Sequence, residues 1–206
     1  MYGLPQSTIV KKRQLPKSKV FEKFDLKPSQ RESFDADISR IDIVAVVSSS
    51  TVPAVAPGEN IKEFYVLAVQ LNRKEYDAKN ITLLSRFIPN KVVFALHFEE
   101  QVQFAINHTR LITSKWQLLT TNSSLLILQG LTLDTVWNNI VISIGDIQVE
   151  DGKTVAEQIT ADDQKAKLLA QIANLERKIA IEKQPRRKRE YFEQIKKMKV
   201  QIWEKG

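Results

Sequence analysis

The sequence predicts an α+β fold: a mixed β-sheet containing a βαβ unit and an antiparallel meander, flanked by helices, with a C-terminal αα-hairpin. Three observations predict it. Two apolar runs of strand length, Glu63–Leu71 and Lys91–Phe98, are separated by a segment with helical spacing. Directly afterwards Val102, Phe104 and Ile106 alternate with Gln101, Gln103 and Asn107. Beyond residue 160, apolar residues recur at intervals of three and four on both sides of Pro185. Continuous apolar runs suit strands covered on both faces, a period of two suits an antiparallel strand with one wet face, and 3–4 spacing suits helices burying one stripe.

Taken in order, residues 14–40 read as short helices. Pro16 opens one with Val20, Phe21 and Phe24 on a face, and Ser29-Gln-Arg-Glu32 has capping-box spacing ahead of Phe34 and Ile38. Residues 41–49 are rich in β-branched side chains and read as a strand, and residues 50–60, with Pro53, Pro57 and Gly58, as a loop. Between the two apolar runs, Asn72 stands three residues ahead of Glu75 as a cap, and Tyr76, Leu83, Leu84 and Phe87 share a helical face that Pro89 ends. A strand, a helix and a strand at this spacing make a crossover with parallel strands. Glu99-Glu100 is a tight break, and residues 111–121 continue the meander. Gly130 leads into a helix with Leu133, Val136, Trp137 and Ile140 on one face, with Gly145 and Gly152 marking its exit.

Thr160-Ala-Asp-Asp163 resembles a helix cap. Leu168, Ile172, Leu175 and Ile179 then form one seam, and Tyr191, Ile195, Met198 and Ile202 another. Each arm holds about two heptads, too few for a self-standing coiled coil. These eight residues are therefore the candidate interface, whether with each other, with the sheet or with a second subunit. The expected division is a sheet domain with N-terminal helices over 1–155 and a helical hairpin over 156–206.

The chain has 206 residues, 43% hydrophobic and 27% charged, enough for one core that needs no covalent or metal staples. The absence of cysteine excludes disulfides, thiolate zinc sites and thiol catalysis. Two histidines, His97 and His108, leave no multi-histidine metal centre, and no cofactor is expected. Lys11-Lys12-Arg13 follows a short apolar stretch, the reverse of a secretory signal, and no run approaches 18 apolar residues. The expectation is a cytoplasmic protein with no membrane partner, in which the glycosylation-type matches at Asn80, Asn107 and Asn122 are chance.

Charge is the informative part of the composition. Of the formal +7, residues 1–40 hold 9 basic and 5 acidic side chains, residues 41–150 hold 8 and 10, and residues 151–206 hold 14 and 9. Basic ends point toward an anionic partner, since clustered Lys and Arg raise the local potential. The densest cluster is Lys183, Arg186, Arg187, Lys188 and Arg189, at the expected tip of the hairpin; guanidinium groups there suit bidentate contact with phosphate. Against this stands the bland explanation that cations at a helix end suit its C-terminal dipole. Lys11, Lys12 and Arg13, with Lys17 and Lys19, form a second patch. Tyr2, Phe21 and Phe24 interleave with it as base-stacking candidates, though aromatic side chains at helical spacing more often belong to the core. Tyr191, Phe192 and Trp203 are assigned to the hairpin seam on the same ground.

No reaction can be read from these residues. A metal-dependent nuclease needs carboxylates projecting from strands. The central run offers only Gln70 as a polar interior side chain, and the pairs Asp35/Asp37 and Glu150/Asp151 read as solvated surface. His97 reads as a hydrogen-bonded core residue and His108 as a turn residue, and no glycine-rich phosphate loop is present.

The opening Tyr2-Gly-Leu-Pro-Gln-Ser-Thr, the stretch through Leu15-Pro16-Lys17, the segment Ile88-Pro-Asn-Lys-Val-Val-Phe94 and the run Glu182-Lys-Gln-Pro-Arg-Arg-Lys-Arg-Glu190 together resemble an uncharacterised prokaryotic family described as domain of unknown function 4391. Asn107-His-Thr109 departs from the more basic, aromatic stretch expected there. The family's members are often encoded near helicases and DNA methyltransferases. The resemblance thus implies a non-catalytic accessory or adaptor in DNA modification or phage defence, and carries over no catalytic residue. The expected partners are nucleic acid and a helicase or methyltransferase subunit. The alternatives are an interaction module that forms a homodimer and, third, a cryptic metal-dependent nuclease.

Overall fold

The computed structural model describes residues 1–119 and 126–204, with the backbone alone at Lys12, Trp203 and Glu204. The chain forms two compact units, Met1–Gln148 and Val149–Gly206. The fold is α+β. Among the described residues no helix is long and apolar enough to cross a membrane.

The first unit is built on a mixed sheet of β1 (Ile9–Gln14), β2 (Ile38–Ser48), β3 (Glu63–Leu71), β4 (Lys91–Phe98), β5 (Gln101–Asn107), β6 (Leu111–Thr113) and β7 (Gln117–Leu118). Spatial order follows the chain from β1 to β6, and β7 pairs with the first residues of β5, off this path. β3 and β4 are parallel, joined by α3 (Ala78–Phe87), which gives the expected βαβ unit. The remaining pairings are antiparallel. Of the expected meander over 111–121, residues 120 and 121 lie outside the described residues.

Alternation along the strands sorts the core into two layers. Tyr65, Leu67, Val69 and Leu71 of β3 and Val92, Phe94 and Leu96 of β4 meet Val20, Phe34, Ile81 and Leu84, which come from α1 (Lys17–Lys23), α2 (Pro28–Asp37) and α3. On the opposite face Phe64 meets Trp137 of α4 (Leu133–Gly145), ring centroids 5.5 Å apart. Tyr2 sits edge-on to Phe104 and shares a 2.5 Å hydrogen bond with His97 Nε2, and burial drives its phenol well above the usual range. His97 is thus a hydrogen-bonded, half-buried side chain beside the core. Tyr2 is buried as well, and Phe21 stacks edge-on against Phe34, so the aromatic side chains near the N-terminal patch serve the core rather than bases.

Several local expectations are corrected by the hydrogen bonds. The start of α2 is set by Pro28, with the Gln30 side chain accepting from Lys27 N–H at 2.9 Å; Ser29 lies inside the helix. The cap of α3 is Asp77, whose carboxylate accepts from Lys79 N–H at 2.9 Å, while Asn72 donates to Asp35 O. β5 has no wet face at Gln103, which is buried: it accepts from the Tyr76 hydroxyl and donates to Ser114 O, each at 2.8 Å. Asp37, expected at the surface, is fully buried, and its partner Asp35 pairs with Lys17.

The loop before β3 is tied to α4 by one carboxylate. Asp134 accepts backbone N–H groups from Glu59 (2.8 Å), Asn60 (3.1 Å) and Ile61 (2.8 Å), and these bonds, led by that of Asn60, hold its carboxyl below the ordinary range. The approach requires glycine at 58, because a Cβ there would lie 2.8 Å from Asp134 N. Gly58→Ala is expected to destabilise the first unit by about 1–3 kcal/mol through this overlap, measured as a lowered urea midpoint. An unchanged midpoint would show that the loop relaxes freely.

The second unit is the αα-hairpin of α5 (Val155–Ile181) and α6 (Pro185–Glu204). Its first helix begins earlier than the expected cap at 160–163. Thr154 and Glu157 form a reciprocal capping box, and Thr160 lies inside, donating its hydroxyl proton to Ala156 O at 2.8 Å. Ile172, Leu175 and Ile195 are buried in the seam, with Ile179, Tyr191, Met198 and Ile202 against them. Leu168 is half-buried at the open end, lining a small hollow with Ile202. The two stripes therefore satisfy one another within the unit. Phe192, expected in the seam, is instead exposed.

Candidate nucleic-acid interface

The chain reverses at residues 182–184, and the cations cluster on the far side of that reversal. Proline is favoured in a first helical turn because its missing N–H has no partner to lose there, so Pro185 starts α6 and fixes where the following side chains emerge. Arg186, Arg187, Lys188 and Arg189 consequently occupy the first turns of α6, and Lys183 stands in the connection. All but the half-buried Lys188 are exposed.

The dipole of the preceding helix accounts for only part of this cluster, since four of its five cations belong to α6. α5 ends at Ile181, and the basic side chain in its last turn is Lys178. The cluster lies instead at the N-terminus of α6, where the helix contributes about half a positive charge of its own. Cations are disfavoured there, and this first turn holds no acidic side chain. The positive potential of the side chains adds to that of the α6 N-terminus, offset in part by the negative end of α5 across the reversal.

Local carboxylates only partly offset it. Glu182 accepts the backbone N–H groups of Lys183 and Gln184, each at 2.9 Å, and lies 4.0 Å from Arg187. Its carboxyl is held below the usual range first by the Gln184 N–H, then by that of Lys183 and by the charges of Arg187 and Lys188. Arg186, 93% exposed, reaches Glu190 at 3.5 Å. The Arg186–Glu190 pair, long and solvent-exposed, is weak and readily exchanged for another anion, whereas Glu182, 18% exposed and fixed by its backbone bonds, stays beside Arg187. Arg189 and Lys183 make no ion pair among the described residues.

The N-terminal patch lies in the other unit. Lys11 and Arg13 project from β1, an edge strand of the sheet, and are exposed. Lysines on an edge strand also discourage pairing with another sheet, which accounts for them without a ligand. Lys17 is occupied by Asp35 and by Ile38 O, so it does not join them. The structure therefore brings together Lys183, Arg186, Arg187, Lys188 and Arg189 at the bend of the second unit, and Lys11 and Arg13 on β1 of the first.

The acidic pairs weighed for a nuclease do not converge. Asp37 is enclosed by protein donors, and Glu150 pairs with Lys153 at 2.6 Å. Among the described residues no three His, Asp or Glu side chains are grouped to hold a metal ion.

A feature that sequence spacing missed is the outer face of α6, where Phe192 and Val200 lie exposed beside Lys196 and Lys199 in an open groove. Its signal was present in the spacing of 192, 196, 199 and 200, one helical position off the seam.

A family model described as domain of unknown function 4391 matches residues 2–202. No curated protein and no solved structure matches the chain.

Proposed function

The chain belongs to the family described as domain of unknown function 4391, and we propose that it works as a non-catalytic accessory or adaptor in a DNA-processing assembly, contacting nucleic acid through the bend of its helical hairpin. The observation that carries this reading is the placement of Arg186, Arg187, Lys188 and Arg189 at the N-terminus of α6, where the helix itself disfavours cations. A phosphate backbone relieves both the mutual repulsion of these side chains and their conflict with the dipole, through charge-assisted and often bidentate bonds. The reading calls for sequence-tolerant, salt-sensitive binding. The test is the affinity of the purified chain for short duplex and single-stranded DNA, with Arg186, Arg187, Lys188 and Arg189 together replaced by Gln. Binding that is unchanged in that variant removes the bend from the function.

A second reading is favoured by the outer face of α6. Phe192 is 56% exposed beside Lys196 and Lys199, which fits a protein-interaction module that docks a partner or a second copy of itself. Light scattering separates the self-assembling form of this reading: a strict monomer at high concentration counts against it.

A further inference from the structure

The first unit contains a polar cleft that neither reading uses. It has a volume of about 480 Å³ and lies where β3 and β4 begin, with walls from the end of α3 and the end of β5. That size falls among ligand clefts, roughly 300–1,000 Å³. Its polar groups include Lys62, Glu63, Asn90, Lys91, Asn107 and His108, drawn from three separate stretches of chain.

Most of these groups are fixed by the protein. Lys62 Nζ donates to Gly58 O at 2.6 Å, and Asn107 Nδ2 to Ser85 Oγ at 2.7 Å. Glu63 Oε1 accepts from the Tyr65 hydroxyl at 2.8 Å and from Asn90 Nδ2 at 3.0 Å, which holds the one carboxylate of the cleft by neutral donors. Two groups have no such tether. The Lys91 ammonium lies 5.9 Å from the Trp137 ring centroid and makes no ion pair among the described residues. His108 Nδ1 is shielded from solvent with no hydrogen-bond partner, although the residue's backbone N–H is satisfied by Arg110 O at 3.0 Å. A buried polar nitrogen without a partner is uncommon and calls for a reason.

We propose that this cleft binds a small organic ligand through an oxyanion, phosphate or carboxylate, seated between the Lys91 ammonium and the His108 imidazole. Two ammonium groups against one tethered carboxylate set the sign of the ligand. The free amide hydrogens of Asn90 and Asn107 supply neutral donors around it. Burial, with the charge of Lys91 second, holds the free imidazole below its usual pKa, and a ring N–H donates the hydrogen bond to the oxyanion.

The chain's histidine content makes the test direct, because only His97 and His108 contribute imidazole signals. Long-range ¹H–¹⁵N spectra are recorded while the full chain is titrated with adenosine 5′-monophosphate, with citrate, and with uncharged adenosine. The expected result is a saturable shift of the His108 signals with at least one oxyanion at a dissociation constant below about 1 mM. Adenosine leaves them in place, and His97 is the internal control. Lys91→Met is expected to weaken binding at least ten-fold with the His97 signals unmoved, which shows the fold intact. The phosphate and carboxylate arms identify which oxyanion is taken. The proposal is overturned if neither oxyanion moves His108, if both histidines shift together, or if Lys91→Met binds as the parent does. Replacing Arg186, Arg187, Lys188 and Arg189 leaves this titration unchanged, so it fails or succeeds independently of the hairpin.

Discussion

Asp37→Ala is expected to lower the stability of the first unit by about 3–5 kcal/mol. The carboxylate ends α2 immediately before β2 and faces the entry to α3. Oδ1 accepts from Arg73 Nε at 2.5 Å, and Oδ2 accepts from Asp77 N–H at 2.8 Å and Asn80 Nδ2 at 2.7 Å. The backbone joins in, since Asn72 N–H donates to Asp37 O at 2.8 Å. One side chain therefore fastens the start of β2 to the end of β3 and to the cap of α3. Arg73 is 54% exposed and can turn into solvent when its partner is removed, so the ion pair is the smaller part of the loss. The larger part comes from the Asp77 N–H and the Asn80 amide, which are left without an acceptor at about 1–3 kcal/mol each. Asp37→Asn keeps the shape but confronts donors with a donor, and falls between the parent and the alanine variant. Urea unfolding followed by tryptophan fluorescence, to which buried Trp137 contributes, measures both. A loss under about 1 kcal/mol for the alanine variant would show that these bonds are not what joins the elements.

Asp37 also shows what the sequence could not disclose. Its partners stand 36, 40 and 43 residues away, and a carboxylate between helix and strand signals exposure until those partners are known. The misplaced cap of α3 has the same origin, because Asn72 is a competent capping residue engaged by Asp35 O, 37 residues away, whereas Thr160 bonds back to Ala156 O within α5. Gln103 was read as wet for want of Tyr76, which lies 27 residues away. By contrast β3, α3, β4 and the hairpin were legible because each carries its own periodicity, and Pro185 marks the bend without any tertiary help. The basic cluster was legible as composition. Its meaning was not, because the dipole argument reverses according to which side of the reversal the cations occupy. The cleft was invisible, since no spacing within one stretch brings Lys91 and His108 together.

Neutralising the bend is expected to change how DNA affinity depends on salt more than any other property of the chain. Each phosphate neutralised on duplex DNA contributes about −0.9 to the slope of log affinity against log salt. If Arg186, Arg187, Lys188 and Arg189 each contact one phosphate, their replacement by Gln flattens the slope by roughly 3.6. Between 50 and 200 mM salt those four contacts account for a fall of about 150-fold, so the parent loses affinity far more steeply than the variant across that interval. The loss on substitution is accordingly greatest at low salt and shrinks as salt rises. Replacing Lys11 and Arg13, which lie in the other unit, gives the comparison: an equal flattening there would assign the contact to the edge strand instead. A drop in affinity with no change of slope would mean that the bend acts through the shape of α6 and not through its charge, and would favour the outer face with Phe192 as the working surface. The helix gives an independent check. Removing cations from an N-terminus relieves an unfavourable interaction with the dipole, so the variant's hairpin is expected to be at least as stable as the parent's by thermal unfolding. Weaker binding joined to undiminished stability is the signature of side chains retained for a ligand.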